Sequence, residues 1–550
     1  MDTGADIICP LCGDRVNRLL YRYHIDNEKV VMEKIKSQNP GWAEADGVCS
    51  RCVDYYHTEV IRQQRLLPEI GPYFPVRSPD DFVILPTPLR VDADPRFTGK
   101  GVTICFVDSG FYPHPDLSAG KNRIKLMLDM TTTAREPDYF LRPHDDAWHG
   151  TMTSVVCAGD GFCSNGLYRG IASDAELVLL KVMDESGRIT TPNIVKALEW
   201  IVQNHERYGI RIVNMSLGDD FTGSYKESEV NKLAEELFEK GISIVAAAGN
   251  DQQALVKPPA NSPHVIACGG INDENSLDAG LSLYHSSFGV TAEGIMKPEL
   301  TAHSIWIAAP LLPGTREKEV SETLHRLLQL DDTALSRCST ETIESTGMDR
   351  AVFSQQDIPL IRQAIRDRIQ AGKYITPSYM HVDGTSFAAP VVSAVIAQLL
   401  EINPQLGPRQ IRETLFSTAK RLEQFPPERQ GFGLIRPRKA ILKTLKRTTI
   451  MKPQDSPYIN RQRKTIEFFV HNDCASQISL AGSFNHWAQD VLLMEPGKEG
   501  LWKIEIPMLP CGRYQYKFFV DEKRWIEDYD NPLREPDGFR GFNSILVIEN

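Results

Sequence analysis

The sequence predicts an α/β protein whose main unit is a three-layer α/β/α domain with a mainly parallel sheet. A small cysteine-bearing module precedes that unit and a C-terminal β-sandwich follows it. Three observations carry this. From Gly99 onward, short β-branched runs alternate with helix-length amphipathic segments, the signature of strands crossing over through helices. Two Cys-x-x-Cys pairs stand near the N-terminus. After about residue 463 the pattern turns to strands alone, separated by Gly, Pro, Asn and Asp.

A chain of 550 residues is too long for one hydrophobic core. An apolar fraction of 41% and a charged fraction of 24% are ordinary for a soluble globular protein. A formal net charge of −11 argues against an electrostatically driven nucleic-acid binder. Ile7 and Ile8 run straight into Cys9 without the apolar core of a signal peptide, and no stretch of 18 or more apolar residues exists. With an odd count of 11 cysteines, the expectation is a cytoplasmic protein with metal-bound or reduced thiols and no membrane partner.

In chain order, residues 1–67 carry Cys9, Cys12, Cys49 and Cys52 and then read as helix over 55–67. Four thiolates match tetrahedral zinc, and a metal can hold a segment too small to fold alone. A site closed by four cysteines leaves no open coordination position, so its zinc is structural; thiol redox chemistry is the alternative. The 36-residue spacer is longer than usual, and the pairs resemble a zinc-ribbon-like module. Residues 68–98 hold seven prolines, a spacing that excludes a long helix and reads as an extended connector.

Residues 99–447 form the α/β unit. Its candidate strands are 102–107, 177–182, 210–215 and 242–247, with helices over 193–208 and 227–240. A charged, helix-rich insertion, 311–372, interrupts it, punctuated by Leu324, Leu327, Leu328 and Leu330 and by Ile358, Leu360, Ile361, Ile365 and Ile369. A polar linker, 448–463, leads to the β-sandwich of 464–550, with strands near 466–470, 477–481, 502–506, 514–520 and 544–548.

Three short motifs carry chemistry. Val107-Asp108-Ser109-Gly110 ends a strand, His149-Gly150-Thr151 opens a helix, and Gly384-Thr385-Ser386-Phe387-Ala388-Ala389-Pro390 opens another. Serine holds its proton at neutral pH, so an imidazole must take it during attack. A buried carboxylate must fix the imidazole's tautomer and stabilise the imidazolium. A serine at a helix N-terminus also has unpaired N–H groups and the positive helix end beside a developing oxyanion. Alone, Asp108 could be a turn residue, His149 a structural histidine and Ser386 an N-cap. Together, in the order Asp, His, Ser, they form a catalytic constellation.

On these residues the chain resembles the subtilisin family of serine peptidases, over residues 99–310 and 374–447. The resemblance implies a triad of Asp108, His149 and Ser386. Asn214-Met215-Ser216-Leu217-Gly218 matches the segment that pairs with substrate as an added strand, which assigns Ser216, Leu217 and Gly218 to substrate binding. Ala246-Ala247-Ala248-Gly249-Asn250 matches the segment ending in the oxyanion-hole asparagine, which makes Asn250 the side-chain donor. The implied activity is a serine endopeptidase acting on a protein substrate. Phe387 stands where methionine is usual, and no inhibitory prodomain of the secreted kind is recognisable. The expectation is therefore an enzyme restrained by 68–95 or 311–372 until activated. Subtilisin-like domains often bind calcium, but no loop here is specific enough to assign ligands. The rival reading is an inactive scaffold or sensor; a glycan-directed hydrolase lacks a glycosidase carboxylate pair.

The last block resembles the glycogen-binding module of the AMP-activated protein kinase β subunit. The match runs over 480–487 (Leu-Ala-Gly-Ser-Phe-Asn-His-Trp), 514–521 (Tyr-Gln-Tyr-Lys-Phe-Phe-Val-Asp), Trp525 and Phe542-Asn543. It implies stacking of Trp487 and Trp525 on glucose rings and polar contacts from Lys517 and Asn543, with Phe539 where the family has an aliphatic residue reaching into the sugar. Indole faces suit the apolar faces of sugars. The same aromatics could be core or face a protein partner, so the partner is an α-glucan or a protein.

Overall fold

The computed structural model describes residues 7–10, 15–16, 29–43, 46–48, 52, 56 and 84–549, with breaks at 132–137, 145, 220, 222–223, 278–279, 350–356, 447–455, 473, 498–499 and 540. The central unit is built on an eight-stranded sheet. Seven of its strands are β1 (Thr103–Asp108), β2 (Ile124–Asp129), β3 (Glu176–Lys181), β4 (Ile210–Met215), β5 (Ser243–Ala247), β6 (Ile266–Asn272) and β7 (Leu300–His303). They run in parallel in the order β7-β6-β5-β4-β1-β3-β2, and Ser282–Leu283 adds to β6 antiparallel. The order reverses at β1, whose neighbours are β3 and β4, and a crevice at the carboxyl end of such a strand is where α/β sheets place ligands.

Alternation along β1 makes the three layers. Ile104 and Phe106 face one side, where they join Val155 and the apolar run 388–400. Cys105 and Val107 face the other, with Ile194, Leu198, Ile201, Val230 and Leu237. The first layer is made of α1 (Ala147–Ala158) and α6 (Thr385–Ile402), the second of α2 (Thr191–Tyr208) and α3 (Glu229–Glu239). Strands buried on both faces read as continuous apolar runs, which is why their positions were legible. Among the described residues α6 alone is long and apolar enough to cross a membrane; its burial between the sheet and neighbouring helices accounts for that composition.

The insertion is helical, as expected. Helices α4 (Arg316–Gln329) and α5 (Ile358–Ala371), with shorter ones between them, close a separate small core of Val320, Leu324, Leu327, Leu335, Ile361 and Ile365. Its root is a three-stranded antiparallel sheet of β8 (Ile307–Pro310), β9 (Tyr374–Thr376) and β10 (Tyr379–Val382). Ile307, Ala309 and Val382 of that sheet pack on Met152 and Val156 of α1 and on Phe387 of α6.

Two boundaries differ from the sequence reading. The described part of the proline-rich stretch, 84–98, is not an extended connector. Thr87–Arg90 is a buried helical turn, and the Arg90 guanidinium pairs with Asp273 while donating to the carbonyls of Ile305 and Trp306. Prolines at the N-cap and second position of a helix cost it nothing, so their spacing did not forbid packing. The linker 448–463 also ends early, because β11 (Tyr458–Asn460) is already the edge strand of the sandwich.

That sandwich has two antiparallel sheets. One is built on β11, β12 (Thr465–His471) and β14 (Leu501–Pro507); the other on β13 (Ile478–Gly482), β15 (Gly512–Val520) and β16 (Phe542–Ile548). Their inner faces meet through Ile466, Phe468, Leu480, Tyr516, Phe518 and Leu546. The module lies directly on the central unit: Tyr529 and Phe542 pack edge-on against Phe432, and Arg421 pairs with Glu527.

Candidate active site

Asp108 closes β1 and is 1% exposed. Its Oδ1 accepts from the Ser109 N–H at 2.7 Å and lies 2.6 Å from His149 Nδ1, while Oδ2 accepts from Thr153 Oγ1 at 3.0 Å. An oxygen that accepts at Nδ1 fixes the tautomer with Nε2 available as a base. His149 sits in the first turn of α1, four residues before Thr153, so one helix face presents both to the carboxylate. Gly150 is needed for the approach: a Cβ there would meet Gly110 O at 2.3 Å and Asp108 Cβ at 3.0 Å. Burial is the largest influence on the His149 imidazole and lowers its pKa. The charge and hydrogen bond of Asp108 together outweigh it, so the net shift is upward.

Ser386 is the second residue of α6; the N–H groups beside it are engaged, Thr385 N with Asn250 Oδ1 and Phe387 N with Gly384 O, which leaves the Ser386 N–H as the backbone donor of that first turn. Its Oγ donates to Ser216 O at 3.3 Å, and Ser216 Oγ returns a bond to Ser386 O at 2.8 Å. The nucleophile's segment and the strand-like 216–218 segment are thus fastened to each other. Asn250 Oδ1 accepts from Thr385 N at 2.9 Å and Thr385 Oγ1 at 2.8 Å, which turns the amide nitrogen away as the end left for a ligand. Its carbonyl accepts from His285 Nδ1 at 2.7 Å. Ser216, Leu217, Gly218, Ala248, Asn250 and Ser386 line one cavity of about 460 Å³. The structure therefore brings together Ser386, Asn250 and the three substrate-segment residues, with Asp108 and His149 joined to each other. Thr153, Thr385 and His285 were missed. The first has a sequence signal, its i+4 spacing from His149; the bonds of the other two span 135 and 35 residues.

Of the four expected zinc ligands, Cys12 and Cys49 lie outside the described residues. Cys9 and Cys52 are buried with sulfurs 3.8 Å apart. A helix-and-loop scaffold supports them: Trp42 Nε1 donates to Gly47 O, and Asn39 Nδ2 to the Tyr56 hydroxyl at 2.8 Å.

On the module, the rings of Trp487 and Trp525 stand edge-to-face at 5.9 Å. Lys517 shares an outward face of β15 with Gln515 and Phe519, and its ammonium pairs with Asp537. Asn543 is nearly buried, with its amide 3.5 Å from Gln515 Oε1. Phe539 is 91% exposed at the tip of the turn before β16. The five predicted residues are not in one contact set, but all belong to the same sheet or its loops.

The subtilase family model matches residues 99–349 and 362–433. A second model, described as the glycogen recognition site of AMP-activated protein kinase, matches 467–550. The serine protease AprX of Bacillus subtilis (strain 168) is 29% identical over 348 residues, covering 62% of this chain and 65% of its own. The thermostable alkaline protease of Halalkalibacterium halodurans is 29% identical over 198 residues, 36% of this chain and 48% of its own. The chain thus spans from about half to just under two thirds of these relatives. Fervidolysin from Fervidobacterium pennivorans, a keratinolytic enzyme related to subtilisin, aligns in structure with a TM-score of 0.45 and 18% identity, covering 77% of this chain and 53% of that one.

Proposed function

The chain belongs to the subtilase family, and on that premise we propose that it is a serine endopeptidase cleaving peptide bonds in protein substrates. The observation that carries the reading is the 2.6 Å contact of His149 Nδ1 with the buried Asp108, which leaves Nε2 as a base. In the proposed reaction Ser386 Oγ leaves Ser216 O, turns to His149 Nε2 and gives up its proton as it attacks the scissile carbonyl. Asp108 holds the imidazolium that forms. The oxyanion is received by the Asn250 amide and the Ser386 N–H, and His149 returns the proton to the leaving amine. Substrate backbone would lie along 216–218. The scaffold alternative is disfavoured by the two held sets, Asp108 with His149 and Ser386 with Ser216, which retain every group the reaction needs. Cleavage of an extended peptide by the full chain, and its loss in a folded Ser386→Ala protein, tests the reading; undiminished cleavage by that variant would end it.

Zinc at the N-terminal module is a second proposal. Tetrahedral ligands at about 2.3 Å from zinc stand about 3.8 Å from each other, which is the separation of Cys9 and Cys52. Cys12 and Cys49 complete the proposed set, and the metal would supply folding energy rather than chemistry. Metal analysis should find one zinc per chain, removed by Cys9→Ser with Cys49→Ser; retention of zinc by that double variant would contradict the assignment. The same sulfur separation is a metal-ligand spacing and not a disulfide, which supports a reducing, cytoplasmic setting. Restraint by 311–372 would act through the β8–β10 sheet beneath α1, since no described residue of 84–95 or 311–372 is among those lining the catalytic cavity. The C-terminal module we read as an α-glucan binder that adds location and no chemistry, supported by the family match and the paired indoles.

A further inference from the structure

The module does more than stand beside the central unit: its contact falls on a hairpin tied to the Asn250 turn of the cleft and to the segment at Ser224–Tyr225. The hairpin spans 289–297, with Gly289 and Val290 paired to Lys297 and Met296. Just before it, Ser287 clasps the turn that carries Asn250. Its N–H donates to Gly249 O at 3.0 Å and its Oγ to Asp251 O at 2.7 Å. The approach is close enough that a Cβ on Gly249, whose φ is +107°, would lie 2.6 Å from Ser287 Oγ. At the hairpin's turn, the Glu293 carboxylate accepts from Ser224 Oγ and from Tyr225 N, residues that come after the 216–218 segment in the chain.

The hairpin's return strand is where the module takes hold. Ile295 forms an antiparallel bridge with Leu533 of the module. Arg534, 4% exposed, donates to Met296 O and Pro298 O, the carbonyls on either side of Lys297. Its guanidinium lies 4.1 Å from the ring centroid of Phe432 in the central unit and 5.0 Å from that of Phe542 in the module, so the cation sits at the junction of the two. A buried guanidinium held over an aromatic ring and by two carbonyls fixes the strand it grips.

We propose that the C-terminal module is a working part of the peptidase, in which Arg534 acts through the 289–297 hairpin as a positioning residue for the Asn250 turn and for the Ser224–Tyr225 segment. Glu293 is the second positioning residue, serving that segment alone. The proposal rests on the peptidase reading for its kinetic consequences, but the brace itself can be read without turnover. A mere tether would leave the cleft indifferent to Arg534. A brace makes the module's docking a condition of cleft geometry, 238 residues away in sequence from Met296.

The test uses the full chain with Arg534→Ala, Arg534→Lys, Glu293→Gln and the double variant Arg534→Ala with Glu293→Gln. On an extended peptide, Glu293→Gln should raise KM about 5-fold with kcat within about 2-fold, and Arg534→Ala should raise KM and lower kcat, each by about 10-fold. Arg534→Lys should recover part of the loss. Because both residues act through one hairpin, the double variant should show a KM no more than about 2-fold above that of Arg534→Ala. Amide hydrogen exchange should quicken at 249–251 and 224–225 in Arg534→Ala, and at 224–225 alone in Glu293→Gln. Fully multiplying effects on KM in the double variant, or unchanged exchange in both segments, would overturn the brace. If Arg534→Ala does not fold, exchange in Glu293→Gln and Arg534→Lys decides the matter by the same criterion. A wild-type chain without peptidase activity would refute the peptidase reading, and the exchange pattern would still accept or reject the brace.

Discussion

At the catalytic centre Asp108, His149, Ser386 and Asn250 each have a partner within the chain, whereas on the face proposed to bind sugar Trp525 and Phe539 stand exposed. The Asp108 carboxylate engages three partners, and Asn250 Oδ1 accepts two bonds from Thr385. On the module, Phe539 projects into solvent, Trp525 is 37% exposed, and the Lys517 ammonium is already spent on Asp537. Fixed dipoles in a water-poor site are what lower a reaction barrier, because nothing has to reorganise as charge develops. An open platform with a pre-engaged cation suits weak, reversible contact with a long polymer. The comparison therefore predicts losses of several orders of magnitude at the first site and loss of retention, with catalysis untouched, at the second.

The largest effect short of removing the nucleophile or its general base should follow Asp108→Asn. The neutral amide presents its N–H to His149 or fails to hold the tautomer, and kcat should fall about 10,000-fold. The pH profile sharpens this. The imidazole must be neutral to act as a base, and its pKa is raised, so the acid limb of kcat/KM should lie above the ordinary histidine value of about 6.5. Without the Asp108 charge, burial alone remains and the limb should move down. The same raised pKa makes the charged His149–Asp108 pair stabilising at low pH, a contribution fully present below the unfolded histidine's pKa and lost as pH rises through the folded one. An acid limb that stays in place in the Asn variant would break the assigned cause.

Asn250→Ala should cost on the order of 100–1,000-fold in kcat with a small change in KM, the signature of a donor used in the transition state. A loss confined to KM would reassign Asn250 to ground-state binding. At the smallest scale for catalysis stands the sugar face. Trp487→Ala with Trp525→Ala should abolish retention of the full chain on glycogen while cleavage of a small peptide keeps its wild-type rate. Retention that survives the double substitution would move the glucan site elsewhere, and absence of retention in the wild type would leave the module with the bracing role alone.

Much of this was legible in the sequence because the signals are local. The triad motifs stand at strand and helix ends, where functional residues collect, and β1, β3, β4 and β5 read as apolar runs because both their faces are buried. The helical insertion showed its leucine and isoleucine spacing. What the sequence hid was non-local packing. Proline spacing over 84–98 correctly excluded a long helix but could not show that Thr87–Arg90 is buried or that Arg90 finds Asp273 across 183 residues. The three-residue strand β11 is too short for its period to register. Ser287, Glu293 and Arg534 carry no motif at all; a serine, a glutamate and an arginine become a brace only when the chain brings a module back onto a hairpin.

The central claim is that Ser386 is a nucleophile activated by the His149–Asp108 pair, and one measurement addresses it without knowledge of the natural substrate. The full chain is incubated with a serine-directed fluorophosphonate, and the adduct is mapped by mass spectrometry. The account predicts one adduct per chain, on Ser386, forming at least 100-fold more slowly in His149→Ala, as expected when a general base is removed. No adduct on the folded wild-type chain, or an adduct on Ser386 whose rate is indifferent to His149, would contradict it.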